Sequence, residues 1–294
     1  MAFVASDTPA DAKRVVLQRP RVRVRDGNLP VSRGQLFAAL AVIGFANGSF
    51  EKVALEVGNF GWPTAILNTF GISVIVWGAL LAALVLLVRA APDPARRTDL
   101  AVALAAAGAF LIPIPALSWL AISGLAAYLM LSSHRPVRRA AVILQALTIP
   151  LLWARILMAA LGNAILEVDA TLVGWVVGTQ RSGNLVPFAD GSGSLWIAPG
   201  CSSFDNVSLA VLCTATLVQL LDRRWSLSVV LWGLAACFAV IAVNTLRIGL
   251  IGLYPSGFEL LHGPVGATAA AWTTTVAVLG LCHYGISRSA PAAG

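Results

Sequence analysis

The sequence contains little charge and few of the side chains that most often perform catalysis. Only 11% of its 294 residues are charged and it holds 3 His and 4 Cys, whereas 58% of the residues are hydrophobic. No internal repeat, low-complexity linker or H-E-x-x-H zinc motif is present, so we expect no separate soluble domain, no metal and no cofactor. The long apolar runs, bounded by arginines, indicate a polytopic membrane protein.

The basic residues are unevenly distributed along the chain. A formal net charge of +7 would suggest nucleic-acid binding in a soluble domain, but these residues cluster in short segments between the apolar runs, as membrane topology requires. We therefore expect the lipid bilayer, and not nucleic acid, as a partner. Residues 1–33 carry seven Lys and Arg residues and predict a cytoplasmic tail, because a signal peptide with so long a charged leader would be unusual.

Apolar runs cover residues 31–50, 64–88, 100–113, 114–131, 140–161, 203–221, 227–248 and 263–283. The uncharged stretch 100–131 would be about 48 Å long as one helix, whereas a bilayer core is about 30 Å thick. Pro113 and Pro115 therefore predict a tight hairpin of two spans. Eight crossings put 16 of the 20 Lys and Arg residues on one side. We predict an all-α membrane protein with about eight transmembrane helices and both termini in the cytoplasm.

The largest predicted external segment covers residues 161–202. Residues 161–177 carry an apolar helical stripe with Glu167 and Asp169 opposite, which predicts a helix lying at the membrane interface. Asp190-Gly191-Ser192-Gly193 predicts the turn of a β-hairpin between residues 185–188 and 195–197. This helix and hairpin would form a small extracytoplasmic insertion that leads the chain to Cys201.

One cysteine differs from the others in its predicted position. Three cysteines lie within predicted spans, where they act as small apolar residues: Cys213, Cys237 and Cys282. Only Cys201 is expected at the external surface, without a disulfide partner. Ser202, Ser203 and Asp205 follow it in an S-x-x-D capping pattern that opens an apolar helix, and a helix N-terminus favours a thiolate. Taken alone, Cys201 is more often a packed cysteine at a span boundary.

Polar residues near the ends of other spans supply candidate partners for Cys201. Arg247 lies near the outer end of an apolar span, where an arginine is costly and often functional, and Asn244 shares its helical face. His262 lies at the external start of the last span and is suited to proton transfer near neutrality; Glu259 could orient its imidazole. Arg155 is a candidate substrate-binding residue, with snorkelling or interior pairing as the alternative.

Three motifs, taken together, resemble the exosortase/archaeosortase family of membrane transpeptidases. They are Cys201 within Pro-Gly-Cys-Ser-Ser, Asn244-Thr245-Leu246-Arg247, and His262 in the last external turn. The cysteine motif of that family usually reads Cys-Ser-Gly, and Ser203 replaces the glycine here. The resemblance implies an exosortase-like domain over residues 34–294, with its catalytic part at 161–284.

The resemblance implies a membrane peptidase of the inner membrane whose active site faces the extracytoplasmic side. Its substrates would carry a C-terminal sorting signal, made of a short motif, a transmembrane helix and a basic tail. Cys201 would form an acyl-thioester, Arg247 would hold the oxyanion and His262 would move the protons. A lipid or a glycan is a candidate acceptor, and both hydrolysis and transfer to an amine remain open.

Other classes of function compete with this interpretation. A transporter predicts ionisable groups near the bilayer midplane and broken helices in matching halves, whereas the intramembrane charges here lie towards the outer ends. A thiol oxidoreductase would need paired external cysteines. A non-catalytic membrane scaffold stays open, and it predicts that Cys201→Ala has no effect.

Overall fold

The computed structural model describes residues 31–291, so most of the predicted basic tail lies outside the described residues. The structure is 79% helical. Within the described residues, five helices are long and apolar enough to cross a membrane. The chain is therefore a predominantly helical protein compatible with the predicted all-α membrane class.

Within residues 31–291 the helices are α1 Arg33–Leu67, α2 Val74–Val88, α3 Arg97–Phe110, α4 Pro115–Ser132, α5 Arg135–Thr148, α6 Ala154–Val177, α7 Phe204–Leu220, α8 Leu227–Leu253, α9 Phe258–His262 and α10 Pro264–Ser287. The strands are β1 Leu185–Pro187 and β2 Ser194–Trp196. Short 3-10 turns cover Thr69–Gly71, Pro199–Cys201 and Pro255–Gly257. The main hydrophobic core lies between α1, α2, α3, α4, α5, α7, α8 and α10.

The first helix is longer than the first predicted apolar run. That run stops at Phe50, before Glu51 and Lys52, but glutamate and lysine are good helix formers and do not end a helix. Helix α1 continues to Leu67 and bends at Gly61, whose φ of 74° suits a residue without a side chain. The second apolar helix therefore begins at Val74 and not at residue 64.

The predicted proline hairpin is present between α3 and α4. Helix α3 ends at Phe110, and Pro115 occupies the first position of α4, where its missing N–H leaves no bond unmade. The Asn47 side chain of α1 donates hydrogen bonds to the Phe110 carbonyl, at 3.1 Å, and to the Ser118 hydroxyl, at 2.8 Å. One amide from α1 thus ties together both helices of the hairpin.

The predicted interface helix at residues 161–177 is instead the end of a long membrane-span candidate. Helices α5 and α6 join through a π-helical segment, Ile149–Trp153, into one helix over Arg135–Val177. At 1.5 Å per residue its 43 residues extend about 65 Å. The wide turn occurs at Pro150, which has no N–H for the normal helical bond. The apolar stripe from which the separate helix was predicted is thus continuous with the span candidate before it.

The predicted β-hairpin is confirmed. Strands β1 and β2 are antiparallel, with Val186 opposite Leu195. In the turn, the Ser192 hydroxyl and backbone amide lower the pKa of Asp190 by hydrogen bonding to its carboxylate. The Ala189 amide donates to the Gly252 carbonyl at 3.0 Å, which fastens the hairpin to the end of α8.

A buried ion pair holds the opposite end of the bundle. Arg33, which the sequence assigns to the tail, is the first residue of α1 and is 1% exposed. Its Nε lies 2.9 Å from Oδ1 of Asp99 on α3. Its guanidinium also donates to the Ser132 carbonyl and the Ser133 hydroxyl after α4, and Tyr128 donates to Asp99 at 2.7 Å. Arg33 thereby joins one end each of α1, α3 and α4.

Three further arginine contacts join other helix ends. Arg135 and Arg139, at the start of α5, form ion pairs with Asp222 after α7, at 3.0 and 3.4 Å. Arg223 donates to the Ser289 carbonyl after α10 at 2.8 Å. The start of α5 and the ends of α7 and α10 therefore meet through arginines.

Arg33→Ala should lower the free energy of unfolding by about 3–5 kcal/mol, because Asp99 would remain buried without its cation. Arg97→Ala, which removes an exposed arginine from the same helix as Asp99, is the matched control and should change it by less than about 1 kcal/mol. Denaturant unfolding in mixed micelles measures both. Equal effects of the two variants would show that the Arg33–Asp99 pair does not hold the helix ends together.

Candidate active site

The candidate nucleophile lies in a short turn between the hairpin and α7. Cys201 ends the 3-10 turn that follows β2, and its amide donates to the Ala198 carbonyl at 2.9 Å. The residue is half-buried. It packs against a small apolar cluster from α6, the hairpin and α8, which includes Val173, Val186 and Ile248. The other three cysteines lie inside α7, α8 and α10, as the sequence predicts.

The structure brings the predicted acid/base residue next to this thiol. His262 Nε2 lies 3.9 Å from Cys201 Sγ, although 61 residues separate them in the chain. His262 is the last residue of α9, and its imidazole stacks on the Phe258 ring, with ring centroids 4.8 Å apart and an angle of 11° between the planes. The Phe258 ring therefore covers one face of the imidazole, while Nε2, on the edge of the imidazole, is directed at the cysteine sulfur. Nucleophile and base are often at such loose distances before substrate binds.

The predicted role of Glu259 is wrong. Its side chain is exposed and makes no hydrogen bond to the part of the chain that the structure describes, whereas its backbone carbonyl accepts from the Gly263 amide at 3.1 Å. Helix α9 has only five residues, and the imidazole stacks on Phe258, four residues earlier. Sequence spacing allowed either neighbour, and the aromatic contact is the one that forms.

Helix α8 carries both candidate residues of the predicted Asn-Thr-Leu-Arg motif, Asn244 and Arg247. The Asn244 side chain donates to the Cys201 carbonyl at 2.7 Å, which brings this predicted supporting residue into contact with the cysteine turn. Arg247 follows one turn later and is half-buried; its Nε is buried and has no hydrogen-bond partner among the described residues. A buried N–H without a partner is costly. The structure thus places Arg247 on the same helix as Asn244, with one donor that the described residues leave unsatisfied.

Helix α6 packs closely against the part of α8 that follows Asn244 and Arg247. A Cβ on Gly249 would lie 2.5 Å from Val176 Cγ1, and a Cβ on Gly252 would lie 2.5 Å from Val177 Cγ2. Only glycine permits so close an approach. The end of α6 thus lies directly against α8, just beyond Arg247.

The predicted capping pattern after Cys201 does not form as expected. The Ser202 hydroxyl accepts a hydrogen bond from the Phe204 amide at 3.2 Å, but the Asp205 side chain is exposed and makes no bond back to the turn within the described residues. Instead, both serine hydroxyls donate to a carboxylate of another helix. Ser202 Oγ lies 2.6 Å from Asp169 Oδ2, and Ser203 Oγ lies 2.7 Å from Asp169 Oδ1.

Asp169 is the residue that sequence reasoning misplaced. It lies not on the polar side of α6 but on the buried side, 5% exposed, beside Leu166, Ala170 and Val173. Its Oδ2 also accepts from the Ser203 amide at 3.2 Å. Helical periodicity could not locate its partners because they lie 33 and 34 residues away. The available signal was an acidic residue within an otherwise apolar helix, which normally requires a specific partner.

Arg155 lies beside the site but not in contact with its reactive atoms. It lines a cavity of about 600 Å³ together with Lys52, Glu56 and Asp205. A second recess of about 430 Å³ joins Arg155 to Pro199 and Gly200, just before Cys201. In the described residues no three His, Cys, Asp or Glu side chains are grouped as a metal site.

Comparison of the chain with protein-family models, curated proteins and solved structures finds no match.

Proposed function

We propose that the protein is a membrane-embedded cysteine peptidase, similar to exosortases and archaeosortases, that cleaves the C-terminal sorting signal of exported proteins. The observation that carries the proposal is the approach of Cys201 Sγ to His262 Nε2, at 3.9 Å, between two distant parts of the chain. A packed structural cysteine has no need of an imidazole aimed at its sulfur. A thiol and a base at this distance are the elements of nucleophilic catalysis.

The proposal includes eight membrane crossings, by α1, α2, α3, α4, the joined α5 and α6, α7, α8 and α10. The arginine contacts of the fold support it, because they gather one end of α1, α3, α4, α5, α7 and α10. Arginine-rich loops are typical of the cytoplasmic side. Both termini would then lie in the cytoplasm of an inner membrane, and Cys201, Asn244 and His262 would face the extracytoplasmic side.

In the first half-reaction, His262 accepts the Cys201 thiol proton while Sγ attacks the scissile carbonyl carbon. A C–S bond forms and the carbonyl oxygen becomes an oxyanion, for which the unpaired Nε of Arg247 is the proposed donor. Collapse of this intermediate breaks the C–N bond. His262 then gives its proton to the departing amine, so the sorting helix leaves and the exported protein stays on Cys201 as an acyl-thioester.

In the second half-reaction, water or an amine attacks the thioester carbonyl. His262 takes the proton of the attacking group, the C–S bond breaks, and the proton returns to the Cys201 sulfur. Water gives hydrolysis, and an amine on a lipid or glycan gives transfer. The recess beside Gly200 supports a binding role for Arg155 in this step, because it connects that guanidinium to the turn that carries the nucleophile.

The proposed topology predicts that a membrane-impermeant maleimide labels Cys201 in intact cells. Cys213 and Cys282 are 3% and 0% exposed and should stay unlabelled. Mass spectrometry of the labelled peptides distinguishes the sites, with Cys201→Ser as the control for background labelling. Labelling of Cys201 only when inverted vesicles expose the cytoplasmic face would contradict the eight-span arrangement.

The covalent mechanism predicts that Cys201→Ala abolishes processing and leaves full-length substrate in the membrane. His262→Ala should slow both half-reactions by several orders of magnitude, because the thiol and imidazole act as one unit, and the double variant should be little worse than either single variant. Immunoblots of a substrate with a C-terminal sorting signal measure processing, and hydroxylamine should release any trapped thioester. Cys213→Ala is the matched control and should process normally.

Normal processing by Cys201→Ala would instead favour the non-catalytic scaffold or the transporter. Both of those functions use the bundle without the thiol, so neither predicts a hydroxylamine-sensitive adduct.

Arg247→Lys should lose most of the processing activity while the protein still inserts into the membrane. Lysine keeps the positive charge but lacks the planar set of N–H donors that includes the buried Nε. We expect a loss of about 100-fold or more, as for removal of one oxyanion donor. Arg138→Lys, at an exposed arginine near the start of α5 and outside the site, is the matched control and should process normally. Equal activity of Arg247→Lys and the unmodified protein would reduce Arg247 to a membrane anchor.

A further inference from the structure

Asp169 is a buried carboxylate that the proposed chemistry does not use. It lies in the apolar face of α6 with 5% of its surface exposed. Moving a carboxylate out of water is costly unless hydrogen-bond donors replace the solvent. Three donors do so here: the Ser202 hydroxyl at 2.6 Å, the Ser203 hydroxyl at 2.7 Å and the Ser203 amide at 3.2 Å.

All three donors belong to the two residues that follow the candidate nucleophile. The carboxylate accepts the Ser203 amide at the start of α7, a position that side-chain acceptors normally fill from within the same helix. On the other side, Asn244 of α8 donates to the Cys201 carbonyl at 2.7 Å. Four hydrogen bonds from α6 and α8 therefore hold residues 201–203. They fix the position of the Cys201 backbone, from which the thiol extends.

Ser203 occupies the position at which the resembled motif usually has glycine. Its hydroxyl supplies the bond to Asp169 Oδ1, so this departure from the motif has a defined partner in the structure. A glycine at this position would leave that oxygen without the 2.7 Å donor. The serine and the aspartate thus form a matched pair.

We propose that Asp169 is the positioning residue for the nucleophile: by binding Ser202 and Ser203 it places the Cys201 thiol against His262. This inference rests on the proposed function for its catalytic meaning. Its geometric content, that Asp169 sets the thiol–imidazole contact, is testable without any substrate.

The test measures how strongly alkylation of Cys201 by iodoacetamide depends on His262. In the otherwise unmodified protein, His262→Ala should slow alkylation about 10-fold or more, because the imidazole next to the sulfur takes the thiol proton. In an Asp169→Leu background the thiol is no longer placed against the ring, so the same His262→Ala change should have almost no effect. Protection of Cys213 and Cys282 in every variant shows that the bundle remains folded.

Two further variants separate positioning from packing. Asp169→Asn should keep the dependence on His262, because an asparagine can accept the Ser202 hydroxyl and the Ser203 amide at its oxygen and donate to the Ser203 hydroxyl from its nitrogen. Glu167→Leu changes an exposed acid on the same helix, whose partner is Arg181 at 3.4 Å, and should also keep it. A merely structural Asp169 would lower the stability of Asp169→Leu and leave the dependence on His262 intact, which would overturn the inference.

Processing of a sorting-signal substrate then connects positioning to catalysis. Asp169→Leu should lower kcat about 100-fold with little change in KM, since a misplaced reacting group costs about that much, and Ser203→Ala should add little in the Asp169→Leu background. If Cys201→Ala abolishes processing but Asp169→Leu leaves kcat and the alkylation dependence unchanged, the positioning role is wrong and the peptidase proposal stands. If no variant alters substrate maturation but Asp169→Leu still removes the His262 dependence, the positioning stands and the proposed function fails.

Discussion

A buried polar group in an apolar helix bundle must find its partners within the protein, and this constraint determines both ends of the structure. At one end Arg33 and Asp99 neutralise each other, and further donors and acceptors of the same helix ends complete their bonding. At the other end, within residues 31–291, Asp169 has no cationic partner, and its hydrogen bonds come from Ser202 and Ser203. The first arrangement joins helix ends, whereas the second fixes a single turn of the backbone.

Patterns of hydropathy and turn residues predicted most of the helices, the hairpin at Pro113 and Pro115, and the β-hairpin near Gly191. They failed where a helix continues through a feature that usually ends an apolar run. Glu51 and Lys52 interrupt the hydropathy of α1 but not its hydrogen bonding. Pro150 widens the helix that becomes α6 without ending it. Local rules describe where a helix can end, and packing against neighbours decides where it does.

The site shows the same division between local and distant information. Cys201, His262 and Asn244 were recognisable because each lies in a short motif. In the structure the Cys201 thiol lies next to the His262 imidazole, and the Cys201 carbonyl accepts a hydrogen bond from the Asn244 side chain. The role of Asp169 was not recognisable from the sequence. Its carboxylate accepts hydrogen bonds from residues 33 and 34 positions away, and contacts so distant in the chain produce no short sequence pattern. Glu259 had the spacing to reach the imidazole, but the ring of His262 stacks on Phe258 instead, because an aromatic ring offers it more contact area.

The two halves of the proposed catalytic pair are held in different ways, and this determines which of them can adjust. Four hydrogen bonds from α6 and α8 fix the backbone around Cys201. His262 is exposed at the end of a five-residue helix and has one aromatic stack. The 3.9 Å contact must shorten for efficient proton transfer. Movement of α9 would achieve this without breaking any of these four hydrogen bonds, whereas movement of the cysteine turn would break them. The proposed mechanism therefore predicts that the imidazole is the half that adjusts.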